Sequence, residues 1–417
     1  MTKKSRKKTT WQKTRKFFND IHLWCGLISG IVVIVICFSG TIYTYNTEFR
    51  EWAAPHLHNV VVPVDGKRLP AESFIPKITA ESGGTVTAIS IAADPARTYQ
   101  FTARVAGDNS RFGTTYYVNP YTGAITGTSK ETTKTAKFMQ TMFSLHRWLL
   151  LDKIEKPLIG ELPNRQLGSY ISGTATILFT LGVLTGLIIW FPNKVRNWRQ
   201  GLSVKWSANW KRVNHDLHNS LAFYSLIFLF LMGITGPQWS FPWYRTGLRK
   251  ALGTYQEQSA GRSGNGHGSG GKQVPDQRHQ TDKPATPTST LALPVATYLA
   301  AADEALPYEG DYRISLPQSA DASLSISKNR VGFFAPAAGD QVTLEPATAS
   351  VKTVEIFRDK SFNERVSSSI KALHVGNIYG QFTKLLYFLA CLVATSLPIT
   401  GTLIWLNKLK KKNPVRR

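Results

Sequence analysis

The sequence predicts an α-helical integral membrane protein: a four-helix transmembrane bundle built from a tandem repeat, with two α+β modules on one outer face. Three observations carry that expectation. Four stretches are almost free of charge and long enough to cross a bilayer, which takes about 20 residues each. The basic residues collect outside those stretches, on one side of the resulting topology. Short sequence marks recur in the same order in the two halves of the chain.

The four windows run from about Ile21 to Tyr45, Leu167 to Phe191, Asn219 to Trp239 and Phe382 to Leu406. Backbone groups in lipid must be satisfied within the segment, so each window reads as a helix. The mean hydropathy of −0.15 resembles a soluble average only because the apolar residues are bunched. That bunching excludes a purely soluble protein. It also excludes a disordered basic nucleic-acid binder, although the net charge is +24.

The charge has a topological reading instead. The N-terminus carries MTKKSRKKTTWQKTRK, the loop after the second window carries Lys194, Arg196, Arg199, Lys205, Lys211 and Arg212, and the tail is KLKKKNPVRR. All three fall on one side of a four-pass chain, which the positive-inside rule puts in the cytoplasm. The same residues attract anionic lipid. The first window is too long for the apolar region of a cleaved leader and no A-x-A-like site follows it, so it reads as an uncleaved anchor. Cys25, Cys37 and Cys391 all lie within windows, as small buried hydrophobes rather than a disulfide framework.

The repeat is legible in particular residues. His22 precedes Gly40 by eighteen positions in the first window, and His218 precedes Gly236 by eighteen in the third. The second window ends LTGLIIWFPNK (Thr185, Gly186, Trp190) and the fourth ends ITGTLIWLNK (Thr400, Gly401, Trp405). SLHRWLL with His146 stands before the second, and ALHVGNIYG with His374 before the fourth. Agreement of all these marks in order points to a tandem duplication, and parallel repeats about an axis along the membrane normal are a known membrane design.

The outer segments have a mixed pattern. Ala71–Ser82 reads as helical, followed by the alternating runs TVTAISIAA, TYQFTARVA and TTYYVNPYTGAITG with Asn-Pro and Thr-Gly turns. In the second segment a helical stretch at Leu293–Ala305 is followed by the strand-like runs YRISL, ASLSISK, VGFFAPA and KTVEIF. Between them Gln256–Thr290 is rich in Gly, Ser, Pro and polar residues and reads as a flexible insert. Its G-x-G-x-x-G at Gly266, Gly268 and Gly271 has no strand before it, so it fails the context of a dinucleotide loop. The resulting division is 1–46 (basic N-terminus and first helix), 47–165 (first module and the helix before the second span), 166–192, 193–217 (basic loop), 218–240, 241–290 (insert), 291–376 (second module), 377–407 and 408–417 (basic tail).

Of the nine histidines, His267 and His279 fall in the insert, and His56 and His58 follow the first window in PHLHN. The other five gather at helix ends. His22, His215 and His218 lie at the cytoplasmic mouths, and His146 and His374 at the outer ends. An ionisable residue beside a membrane helix is a functional hypothesis by default. Two neutral imidazoles from facing helices can fill both axial positions of a haem iron. No C-x-x-C-H attachment motif is present, so such a haem is b-type. Small residues follow the histidines on the same faces, Gly26, Ser29 and Gly30 after His22, Ala222 and Ser225 after His218. They leave room for a flat macrocycle and equally serve close helix packing. Zinc is the competing ligand, through the H-x-x-H of His215 and His218, but no third and fourth ligand stands nearby apart from Asp216, which points elsewhere on a helix. Arg147 and Arg212 adjoin histidines as propionate partners or as interfacial anchors. No nucleophile–base triad, phosphate loop or flavin or nicotinamide fingerprint is present, so an electron donor must be another protein, a reduced cytoplasmic carrier or quinol.

HLWCGLISG, YYVNPYTGAITG, LHRWLL, LTGLIIW, HDLHNSLAFY and LHVGNIYG with ITGTLIW resemble, in their shared order over about residues 14–408, the PepSY-associated transmembrane helix family. The resemblance implies a bacterial inner-membrane protein with four helices, two periplasmic PepSY-like modules and, as in siderophore-reductase-like members, two b-type haems. Carried over by position, His22 and His218 match the cytoplasmic-side haem pair, with His215 a close alternative, and His146 and His374 match the periplasmic-side pair. The implied activity is reduction of a periplasmic ferric chelate such as a ferric siderophore, releasing Fe(II) for uptake. The alternative is a membrane-anchored PepSY binding or regulatory protein without redox activity. The chain departs from the family pattern in its long insert, and in AAGDQVTLEPATAS where a Tyr-Gly hairpin is expected.

Overall fold

The structure, a computed structural model, describes residues 10–105, 113–191, 195–256, 291–319 and 322–412. Most of the insert, with its glycine motif, His267 and His279, lies outside the described residues.

Among the described residues, four helices are long and apolar enough to cross a membrane: α1 (Thr10–Tyr43), a helix at Asn164–Trp190, one at Trp210–Thr235 extended by a 3₁₀ turn to Trp239, and one at Gly380–Lys412. In chain order the first half reads α1, α2 (Asn46–Ala53), α3 (Pro55–His58), a 3₁₀ turn at Ala71–Phe74, α4 (Ile75–Ser82), β1 (Thr85–Ile91), β2 (Tyr99–Arg104), β3 (Thr114–Val118), β4 (Ile125–Thr128), α5 (Lys134–Trp148) and α6 (Asn164–Trp190). The second half reads α7 (Trp210–Thr235), α8 (Pro242–Ala251), α9 (Val295–Ala305), β5 (Gly310–Ser315), β6 (Leu324–Arg330), β7 (Asp340–Leu344), β8 (Val351–Glu355), α10 (Phe362–Ser368), α11 (Ile370–Val375) and α12 (Gly380–Lys412).

The bundle is closed by neighbours in a ring. α1 packs on α6 and α12, and α7 packs on the same two helices from the other side. α1 and α7 therefore face each other across a diagonal. Small residues permit the close approach, as where Gly30 of α1 meets Pro398 of α12. Hydroxyls inside the bundle return to their own helices, Ser29 to the Cys25 carbonyl and Ser225 to the Leu221 carbonyl. The three cysteines are free.

The two outer segments do not stand apart. Their strands form one antiparallel sheet in the order β4-β3-β2-β1-β5-β6-β7-β8. The joint is β1 against β5, with Ile89 opposite Ile314 and Ile91 opposite Tyr312. Alternate side chains of the strands turn to one face, which α4 and α9 cover. Ile78 of α4 and Tyr298 of α9 are fully buried there with Ile89, Phe101, Ile314 and Leu344. Burying one such aliphatic or aromatic side chain contributes about 1.5–3 kcal/mol, so the shared core fastens the halves together.

Two details of the second segment differ from the sequence reading. VGFFAPA is not a strand but the connection between β6 and β7. The hairpin missing from AAGDQVTLEPATAS by its residue types does form, as β7 and β8. Its turn Glu345–Ser350 repeats the hydrogen bonds of Asn119–Ala124. Asn119 N and Gly123 N donate to the Ala124 and Asn119 carbonyls, and Glu345 N and Ala349 N donate to those of Ser350 and Glu345. Gly123 has φ +69° and Ala349 φ +56°, so an alanine occupies the left-handed position that glycine fills without strain. α8 occupies Pro242–Ala251, ahead of the Gly- and Ser-rich stretch at Gln256–Thr290.

Candidate functional site

His22 lies twelve residues past Thr10 in α1 and His218 eight past Trp210 in α7, on the diagonal helices, so these two stand within their helices rather than at the ends the sequence suggests. Their ring centres lie 6.3 Å apart, with the rings at 86°. Each ring leans on the next helix through a glycine. A Cβ added at Gly186 would sit 3.2 Å from His22 Cε1, and one at Gly401 would sit 3.3 Å from His218 Cε1. A cavity of about 320 Å³ opens beside the pair, lined by Gly26, Ser29, Ala222, Trp190 and Trp405 among others, with Arg15 and Lys408 at its rim. A Cβ at Gly26 or Gly182 would meet nothing within 4 Å. Of the small residues singled out in the sequence, Gly26, Ser29 and Ala222 thus line open space, whereas Gly30 and Ser225 serve helix packing.

His146 ends α5 and His374 ends α11, short helices that lead into α6 and α12. Their ring centres lie 6.2 Å apart at 58°. These rings also rest on glycines, at the far ends of α1 and α7. A Cβ at Gly40 would lie 2.9 Å from His146 Nδ1, and one at Gly236 would lie 3.4 Å from His374 Cε1. The Trp239 ring closes over His374 at 4.9 Å. Burial, opposed by the hydrogen bond to Ile36, lowers the His146 pKa. Burial and then the neighbouring His146 push His374 down to about 3. Both rings are neutral at physiological pH. Eighteen helical residues separate His22 from Gly40, so the two pairs stand roughly 27 Å apart along the bundle.

The hydrogen bonds fix the tautomer of His22 and His146 and suit the same tautomer in His218 and His374. His22 Nδ1 lies 2.9 Å from the Gly182 carbonyl, and His146 Nδ1 lies 2.7 Å from the Ile36 carbonyl. A carbonyl only accepts, so each Nδ1 carries the proton. His218 Nδ1 meets Thr400 Oγ1 at 2.8 Å, and His374 Nδ1 meets Thr235 Oγ1 at 3.0 Å. Both hydroxyls also reach helix carbonyls, Thr400 at Ser396 and Thr235 at Leu231, and with their protons on those carbonyls they accept from the rings. In that arrangement every Nε2 keeps its lone pair. A metal-ligating histidine likewise donates from its other nitrogen to a fixed acceptor. A metal centre held between two imidazoles by bonds of about 2.0–2.1 Å sets ring centres roughly 6 Å apart, the separation of both pairs. Among the described residues, no three His, Cys, Asp or Glu side chains converge as a metal-binding group.

The remaining sequence candidates have other partners. His215 also lines the cavity, but its Nδ1 meets Asp216 at 3.5 Å and its ring is half exposed. Arg212 pairs with buried Asp216 at 2.8 Å, and the same carboxylate accepts from Lys205 N at 3.3 Å. Arg147 donates to the Trp239 carbonyl at 3.0 Å, beside the outer pair. His56 bonds Glu131 at 2.9 Å, away from both pairs. Sequence reasoning took the Thr-Gly pairs as repeat marks only. Thr185–Gly186, Thr400–Gly401 and Thr235–Gly236 are where the rings rest and bond, and their recurrence one helix away from each histidine was the available signal.

No curated protein matches the chain. The model of one family, the PepSY-associated TM region, matches residues 20–408, which takes in both histidine pairs, all four membrane helices and the sheet. The chain belongs to the PepSY-associated TM region family.

Proposed function

We propose that the chain is a haem-b oxidoreductase of the bacterial inner membrane, passing electrons from a cytoplasmic carrier or quinol to a periplasmic ferric chelate. The observation that carries the proposal is the pairing of four histidines, each with Nδ1 committed to a helix acceptor and Nε2 free. The donor set and the ring separations fit one haem per pair, His22 with His218 and His146 with His374. Haem bound by two imidazoles supplies one-electron transfer, with a potential set by burial and by hydrogen bonds to its ligands. The chain's own part is to hold the imidazoles neutral and oriented, to leave the space beside Gly26 and Gly182, and to exclude water with the surrounding apolar helices.

The recurring element order supports descent from a tandem duplication, with each half giving one histidine to each pair. The basic loop and tail support a cytoplasmic His22–His218 end and a periplasmic sheet. Lys408 at the inner cavity suits an anionic edge of the cofactor, whereas Arg15 donates to the Ile189 carbonyl and Arg212 pairs with Asp216. The substrate is Fe(III) held by hard oxygen donors. One electron converts it to the larger, softer Fe(II), which those donors hold less well.

The test is anaerobic. Purified, dithionite-reduced and desalted protein is mixed with a ferric trihydroxamate in the presence of a colorimetric Fe(II) trap. The proposal expects reoxidation of the protein with a matching yield of trapped Fe(II). A protein that stays reduced with several ferric chelates would reject the activity.

A further inference from the structure

The β6–β7 connection has no charged or hydrogen-bonding side chain from Val331 to Gly339 (VGFFAPAAG). A surface turn is ordinarily polar, because its side chains face water. Here Phe333 and Phe334 are 58 % and 63 % exposed. The connection is nevertheless held firmly. Ala337 N donates to the Ile378 carbonyl at 2.9 Å, and Pro336 bridges Tyr379. The Phe333 carbonyl approaches so closely that a Cβ at Gly380 would lie 2.7 Å from it. The Phe334 ring stands 5.3 Å from that of Phe382, in the first turn of α12.

The position of that turn relative to lipid follows from the helix. Lys408 and Lys410 mark the other end of α12. Counting back about 20 residues from Leu406 puts the edge of the hydrocarbon near Tyr387, and Phe382 roughly 7 Å beyond it, in the headgroup layer. Phe382, Leu385, Leu389 and Leu392 are all exposed and follow helical spacing, so they form the lipid-facing stripe of α12. Phe333 and Phe334 extend that stripe upward without a break. Trp52 on α2 and Trp243 on α8, short helices just past the ends of α1 and α7, are likewise exposed on this side of the bundle.

We propose that the β6–β7 connection is a lipid-docking finger, with Phe333 and Phe334 inserted into the headgroup–acyl boundary of the leaflet beneath the sheet. Aromatic side chains favour that depth, and an apolar face there buries about 5–10 Å into the boundary. The finger is bonded to residues 378–380, which join α11 and its His374 to α12. Lipid contact therefore fixes the second half of the sheet over the outer histidine pair.

The test uses the full chain in phosphatidylcholine–phosphatidylglycerol liposomes. Phe334→Cys is placed in a background with Cys25, Cys37 and Cys391 replaced by alanine, and labelled with a nitroxide. Thr353→Cys, on the exposed strand β8, is the aqueous control. The finger predicts that oxygen relaxes the label at 334 more than a water-soluble nickel chelate does, with the reverse at 353. Chelate-dominated relaxation at 334 would overturn it, as would dipolar broadening between labels of two chains, which assigns the patch to a second copy. Phe334→Trp in the otherwise unchanged chain gives an independent measure. Its added fluorescence should be lost in liposomes of brominated lipid and resist iodide, and the opposite pattern would overturn the proposal.

Discussion

His218 Nδ1 lies 2.8 Å from Thr400 Oγ1, and that hydroxyl in turn reaches the Ser396 and Leu397 carbonyls of its own helix at 3.1 Å. With its one proton on the helix, the oxygen accepts from the ring. Thr400→Val keeps the shape and removes the acceptor. Loss of such a partner typically costs about 10–100-fold in metal affinity. Haem titration of the apoprotein, followed by absorbance, should show one of two sites weakened by that order and the other unchanged. Thr235→Val should weaken the other site instead. Two unaltered binding phases in both variants would detach the hydroxyls from the site.

Gly40 is the tightest of the four ring contacts. The Cβ of Gly40→Ala would meet His146 Nδ1 at 2.9 Å and Cε1 at 3.0 Å, and the ring is held against α1 by the bond from that same Nδ1 to the Ile36 carbonyl one turn earlier. Overpacking of this kind costs about 1–3 kcal/mol. Thermal unfolding in detergent should show a lower Tm for Gly40→Ala, while Gly247→Ala on α8, where a Cβ meets nothing within 4 Å, should show none of that loss. Equal Tm values for both variants would mean that the ring gives way freely.

Ala349 carries a φ of +56° in a turn whose counterpart holds Gly123 at +69°. An L-residue in the left-handed region costs about 1–2 kcal/mol, and glycine recovers part of that against its own larger loss of freedom on folding. Ala349→Gly should raise the Tm slightly. Gly123→Ala should lower it, because its Cβ would also lie 2.8 Å from the Phe74 ring. A lower Tm for Ala349→Gly would show that the turn is not strained.

Glu48 of α2 is tied to the outer end of α12 by Lys384 at 2.6 Å and by Gln381 at 2.6 Å. Burial pushes its carboxyl up, but the bonds from Gln381 and Lys384 outweigh it and hold the group below the ordinary carboxylate range. The folded protein binds this proton more weakly than the unfolded chain. Its stabilisation is therefore complete above the ordinary glutamate pKa and is lost as pH falls through the folded value. A Tm-against-pH profile should fall less steeply at acid pH in Glu48→Gln than in the unsubstituted chain. Parallel profiles would remove Glu48 from the acid response.

The four membrane helices were legible because lipid demands length and apolarity, both of which composition records. The ends are set otherwise. α1 begins at Thr10, ahead of the apolar window, and α12 runs on to Lys412, because helices continue past the bilayer into water. The four paired histidines were legible as ionisable residues beside apolar windows, although His22 and His218 lie inside α1 and α7 rather than at their ends. What each ring rests on was not, since Gly186 and Thr400 meet their partners only once the bundle closes. The β1–β5 joint was hidden for a similar reason. Strand alternation marks a buried face but not which edge pairs with which, so Ile89 opposite Ile314 could not be read from either segment. VGFFAPA misled because an apolar run suits a strand and a lipid-facing turn alike.

The absorption spectrum of the protein purified in mild detergent, oxidised and dithionite-reduced, with a pyridine haemochrome count, tests the central claim most directly. The account predicts a b-type spectrum with about two haems per chain, one per imidazole pair. It further predicts loss of one haem in His22→Ala or His218→Ala and of the other in His146→Ala or His374→Ala. A preparation that is colourless even after haem supplementation during expression, or four variants that keep full haem content, would contradict it.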